Sequence, residues 1–159
     1  MRARIVILFL VMILGYLIFQ ISIYSNQKIY SNFFKTNAVN WSILDTLKFD
    51  FKIENKKQLC NFNILMRTNY HYEYSNLFLF IDLMIENQLI KRDTLNCVLY
   101  DAFGNPKNRN IGNTIFSKIN YIDSITLQNN KNYSIKIIHG MRKNSLNGVE
   151  MIGLEINKN

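Results

Sequence analysis

The chain has 159 residues, a formal charge of +8, two cysteines, two histidines and one proline. That is enough for one domain with a single core, and the Cys/His spacing of a zinc site is missing, so no metal or other cofactor is expected. The lysines are scattered rather than gathered into a stripe, which argues against a nucleic-acid partner.

Residues 1–25 come first. Arg2 and Arg4 precede a run without charge from Ile5 to Ser25, the pattern of a membrane anchor or signal segment. Extended to Tyr24, the run is about twenty residues, enough as a helix to cross roughly 30 Å of hydrocarbon. Its exit lacks a small-x-small cleavage site, and the first cysteine, Cys60, lies too far along to carry a lipid. The expectation is a retained transmembrane helix, with the N-terminus in the cytoplasm and the C-terminal bulk in the periplasm or cell envelope. Without Arg2 and Arg4 the rest of the chain carries about +6, suited to anionic lipid.

Residues 26–40 are polar without a clear period and read as a tether, leaving 41–159 as the exported domain. There the dominant signal is alternation. Leu47, Phe49, Phe51 and Ile53 are separated by Lys48, Asp50 and Lys52, and Cys60, Phe62, Ile64 and Met66 follow the same rule. Residues 75–85 are nearly all apolar, with Asp82 as the interruption, and predict a central strand covered on both faces. Further strands are predicted over 94–100, 124–127, 133–141 and 149–156, with turns at 54–57, 86–87, 129–132 and 143–148. No amphipathic helix stands out after residue 40. These elements predict an all-β fold, an antiparallel two-sheet sandwich of jelly-roll type.

Little in the chain points to catalysis. Neither a nucleophile elbow nor a phosphate loop or dinucleotide fingerprint occurs, and no carboxylate pair shares a local motif. Asp82, if buried, requires Arg67 or Arg92 nearby or protonation, and facing outward it is unremarkable. Cys60 and Cys97 could pair only if their Cα atoms approach within about 7 Å; otherwise they are two buried thiols. Asn, Lys and Ile, whose codons are rich in A and T, are abundant, so asparagine-rich patches are discounted as signals. The candidate contact surface is the aromatic, polar segment Tyr70, His71, Tyr72, Tyr74 and Asn76, joined by His139 and Arg142. Rings beside amides can hold another protein or a saccharide, so an exported carbohydrate-binding module using Tyr70 to Tyr74 is the alternative. His139 lies on an apolar strand face, where a core role competes with contact.

Several segments resemble the GldH family of gliding-motility lipoproteins: Asn69-Tyr70-His71-Tyr72-Glu73-Tyr74-Ser75-Asn76-Leu77-Phe78-Leu79, Asp93-Thr94-Leu95, His139-Gly140-Met141-Arg142, Leu146-Asn147-Gly148-Val149 and Ile152-Gly153-Leu154-Glu155-Ile156. The likeness runs over most of residues 40–156. It implies an envelope component of a motility or secretion assembly that acts by protein–protein contact, without an assigned reaction or catalytic residues. Two departures stand out: the lipid-attachment cysteine is missing, and residues 101–113 match the family's turn poorly.

Overall fold

The computed structural model describes residues 2–36, 40–54 and 57–158, with the side chains of 2–6, 8, 21–27 and 109 outside the description. Helix α1 (Arg2–Gln27) is followed by β1 (Lys28–Lys35), β2 (Trp41–Ser42), β3 (Leu47–Lys52), β4 (Gln58–Asn69), β5 (Asn76–Ile85) and β6 (Gln88–Val98). Then come β7 (Arg109–Ile111), β8 (Thr114–Leu127), β9 (Asn132–His139), β10 (Ser145–Leu146) and β11 (Val149–Lys158).

One sheet has the order β1-β11-β4-β8-β7 and the other β3-β9-β5-β6, while β2 and β10 form a two-stranded pair at one end. With β7 set aside, two four-stranded antiparallel sheets face each other and the chain passes repeatedly from one to the other. This is the jelly-roll order, as expected. Alternation explains the core: Phe49 and Phe51 of β3, Ile64 and Phe62 of β4, Leu79 and Ile81 of β5, Ile137 of β9 and Leu154 of β11 all point between the sheets and are buried. The two long sides of the sandwich are closed differently. On one, Tyr30 of β1 packs on Phe51 and Phe34 on Phe49, at ring separations of 5.2 and 4.9 Å. On the other, the Tyr121 hydroxyl of β8 donates to Asp93 of β6 at 2.7 Å.

Four expectations need correction. Residues 28–35, assigned to the tether, are the strand β1, paired with β11 from Lys28–Asn157 to Lys35–Met151. Ile29, Tyr30 and Phe34 supply its apolar face, which packs against the core and which a polar average over the segment conceals. The rest of the expected tether includes 37–39, outside the described residues. Within the expected turn at 143–148, Leu146 is buried and pairs with Trp41. The strand expected over 124–127 begins at Thr114, since its alternation is diluted by Asn120, Asp123 and Ser124. Along α1, among the described residues, no helix is long and apolar enough to cross a membrane.

The turns otherwise follow the sequence. Glu86 and Asn87 join β5 to β6 with φ of 48° and 66°, the signs a two-residue hairpin of type I′ requires. The turn at 54–57 includes Asn55 and Lys56, outside the described residues.

Candidate contact surface

The segment between β4 and β5 is tied down by its own polar groups. The Asn69 side chain donates to Glu150 at 2.7 Å and accepts from the His71 backbone at 3.0 Å. Tyr72 then turns inward and is 5 % exposed. Its hydroxyl donates to the Asn76 carbonyl at 2.8 Å, and burial raises its pKa far above the ordinary phenol value. Its ring meets Tyr74 edge-on at 5.6 Å. Tyr72 therefore plugs one end of the sandwich.

His139 also faces inward. It is 0 % exposed, stands 5.2 Å from the Trp41 ring, and neither imidazole nitrogen has a hydrogen-bond partner of normal geometry. Burial lowers its pKa, partly offset by the Trp41 backbone and the charge of Asp45. Burial thus favours its neutral form, and its ring packs inside the fold instead of reaching solvent.

The remaining predicted contact residues divide between two places. Tyr70 is 68 % exposed and lies with its ring 4.0 Å from that of His71, but the hollow beside His71, Glu73 and Tyr74 holds about 20 Å³, room for one water. Asn76 gives its amide to Asn96 at 2.8 Å. Tyr74 and Arg142 instead line a hollow of about 440 Å³ on the outer face of the β3-β9-β5-β6 sheet. A second hollow of about 770 Å³ adjoins it, and Phe80 belongs to both.

This outer face was not singled out in the sequence. The apolar run 75–85 implied cover on both sides, yet only the inward residues Leu77, Leu79, Ile81 and Leu83 are covered. Phe78 and Phe80 point outward, 37 % and 47 % exposed. Cross-strand register sets what surrounds them. Thr94 of β6 and Ile138 of β9 flank Phe80. The next row reads Lys48, Lys136, Asp82, Arg92 across β3, β9, β5 and β6. Arg92 grips Asp82 through two hydrogen bonds of 2.7 Å, which holds the Asp82 carboxyl below the usual carboxylate range. Lys48 reaches Asp50 at 2.9 Å. Among the described residues neither Lys136 nor Arg142 makes an ion pair. At the other end Lys143 pairs with Glu73 at 3.1 Å and lies over the Tyr74 ring.

Gly140 makes room for this face. A Cβ there would come within 3.0 Å of Phe80 Cζ, and the Gly140 amide donates to the Phe78 carbonyl at 2.7 Å. The signal the sequence did carry was phenylalanine at two successive outward positions of β5, 78 and 80, where an outer sheet face is normally polar.

Among the described residues no three His, Cys, Asp or Glu side chains are placed to hold a metal ion. Cys60 and Cys97 are buried and free, and burial pushes the Cys97 thiol up to about 12.

A family model described as GldH lipoprotein matches residues 28–156. No curated protein matches the chain. Among solved structures, a family 35 carbohydrate binding module from an environmental isolate is 15 % identical, with 83 % of this chain and 80 % of that one covered at a TM-score of 0.37. Dimeric latent PorU from Porphyromonas gingivalis is 8 % identical, with 84 % of this chain and 13 % of that one covered at a TM-score of 0.35. A 4-O-methyl-alpha-glucuronidase with specificity for decorated arabinogalactans is 13 % identical, with 79 % and 14 % covered at a TM-score of 0.42. The chain thus spans about an eighth of PorU and a seventh of the glucuronidase. Likeness this distant says nothing about what the chain binds.

Proposed function

The chain belongs to the GldH lipoprotein family, and from that premise we propose that it is a non-enzymatic, gliding-motility-associated component of the cell envelope that works by holding another envelope protein. The observation that carries the reading is the outward pair Phe78 and Phe80, apolar rings set among cations where a solvated sheet would place polar groups. Exposed apolar patches with a polar rim are characteristic of interaction sites. Tyr74 and Arg142 extend the same face; Tyr72 and His139 support it from within. The large apolar side chains described on α1, including Phe9, Met12 and Phe19, are exposed. Cover of these by lipid would keep the sandwich in the envelope beside its partner.

The test is site-specific cross-linking of the full chain in its native envelope, with and without Phe80→Ser. Expected is loss of the captured protein with unchanged β-sheet circular dichroism. An unchanged set of captured proteins removes this surface from consideration, and glycan-array binding that Tyr70→Ala or Tyr74→Ala abolishes supports the carbohydrate reading instead.

A further inference from the structure

The proposed contact face has a charge pattern that a sheet does not adopt for its own stability. Lys48 of β3 and Lys136 of β9 are directly opposite in register. Like charges so placed repel. The acid that would relieve Lys136 across the other side, Asp82, is already held by both arms of the Arg92 fork. Asp50 takes Lys48 from the side at 2.9 Å. Lys136 is left to act on Asp50 and Asp82 at longer range. At the opposite end of the same face, beyond Phe80 and Gly140, Arg142 is a second cation without an ion pair among the described residues. Between the two lies an apolar floor of Phe78, Phe80 and Ile138.

From this arrangement we infer that the occupant of the face is an extended acidic peptide segment, with a carboxylate at Lys136, another at Arg142 and an apolar side chain on Phe80. The inference rests on the contact reading above and specifies its chemistry. Alternation in an extended chain suits the site, because side chains two apart face the same way at about 6.6 Å. Lys136 and Phe80 lie in neighbouring rows of the sheet, so an acidic residue and an apolar one at that spacing reach both. Carboxylates delivered there would neutralise a repulsive lysine pair, and the free protein would gain what it lacks on its own.

The experiment measures fluorescence anisotropy of two labelled synthetic peptides of equal length, repeating Leu-Ser-Glu-Ser or Leu-Ser-Lys-Ser (the Leu-Glu and Leu-Lys peptides) so that leucine and charge fall on one face of the extended chain, against the full chain in detergent. The Leu-Glu peptide is expected to bind, more weakly as salt rises, and the Leu-Lys peptide is not. Lys136→Glu should weaken Leu-Glu binding roughly tenfold or more and improve Leu-Lys binding. Lys136→Gln, which cannot introduce a new repulsion, should give a smaller loss in the same direction. Equal binding of the two peptides, no binding of either, or Leu-Glu binding unmoved by both variants overturns the inference. The envelope cross-linking separates this from the parent reading. Capture that needs Phe80 but shows no peptide charge preference retires the acidic segment and keeps the surface, whereas capture indifferent to Phe80 retires both.

Discussion

The ring of Phe80 lies over Gly140, close enough that a methyl group at position 140 would come within 3.0 Å of Cζ. Because Phe80 is 47 % exposed, its ring can swing outward instead of straining the core. Gly140→Ala is therefore expected to change unfolding free energy by less than about 1 kcal/mol while reshaping the contact face. Urea denaturation combined with envelope cross-linking checks this; the expected result is near-native stability with reduced capture.

Gly148 has no such outlet. Its φ is +76°, and a Cβ would lie 2.3 Å from the backbone nitrogen of Tyr72. Gly148→Ala should cost about 2–4 kcal/mol, through strain at positive φ and displacement of the Tyr72 backbone. Denaturant midpoints of the two glycine variants should thus differ sharply, although both residues border the same end of the sandwich.

His139 gives the fold a pH dependence. Burial lowers its folded pKa below the free value of 6.5. The unfolded chain then takes up the proton first as pH falls, so this contribution is complete above about pH 6.5 and declines below it. His139→Phe, which keeps a ring against Trp41 and removes two unpaired nitrogens, should flatten the slope between about pH 6.5 and 5. Stability measured across that range, with equal slopes in both proteins, would dismiss the effect.

A second, more acidic window belongs to Glu155. Burial alone would raise its pKa, but hydrogen bonds from Lys118 at 2.5 Å and Asn157 at 2.9 Å, with Lys28 nearby, lower it below 4.5. Here stability is present above about pH 4.5 and lost as the carboxylate protonates below it. Glu155→Gln should cost about 1–2 kcal/mol at pH 7 and remove part of the acid-induced loss, read from denaturant midpoints at pH 3–6.

Cys60 and Cys97 should resist thiol reagents in the native state, since both are 0 % exposed and burial raises both thiol pKa values. Labelling with a disulfide reagent is expected to be negligible before denaturation and complete after it.

The sandwich was legible because alternation is strong where one face is buried and the other charged, as in Phe49-Asp50-Phe51-Lys52. Strand β1 was not, since Lys28, Ser31, Asn32 and Lys35 outweigh its two packed rings and one packed aliphatic side chain in any average. Ring and amide content in the sequence points to Tyr72 and His139, although the fold buries both. Phe78 and Phe80 are the opposite case, exposed rings inside an apolar stretch. A continuous apolar run cannot say by itself whether its second face meets another layer or lies open.

Strand β1 begins at the residue after α1 ends, with Gln27 followed directly by Lys28. Any pull transmitted from the leading helix along that strand loads the β1–β11 ladder in shear, many backbone bonds at once, instead of peeling them one by one. A mechanical link of this kind resists tension far better than a floppy leash would, and its rupture force in single-molecule pulling should reflect the whole seam.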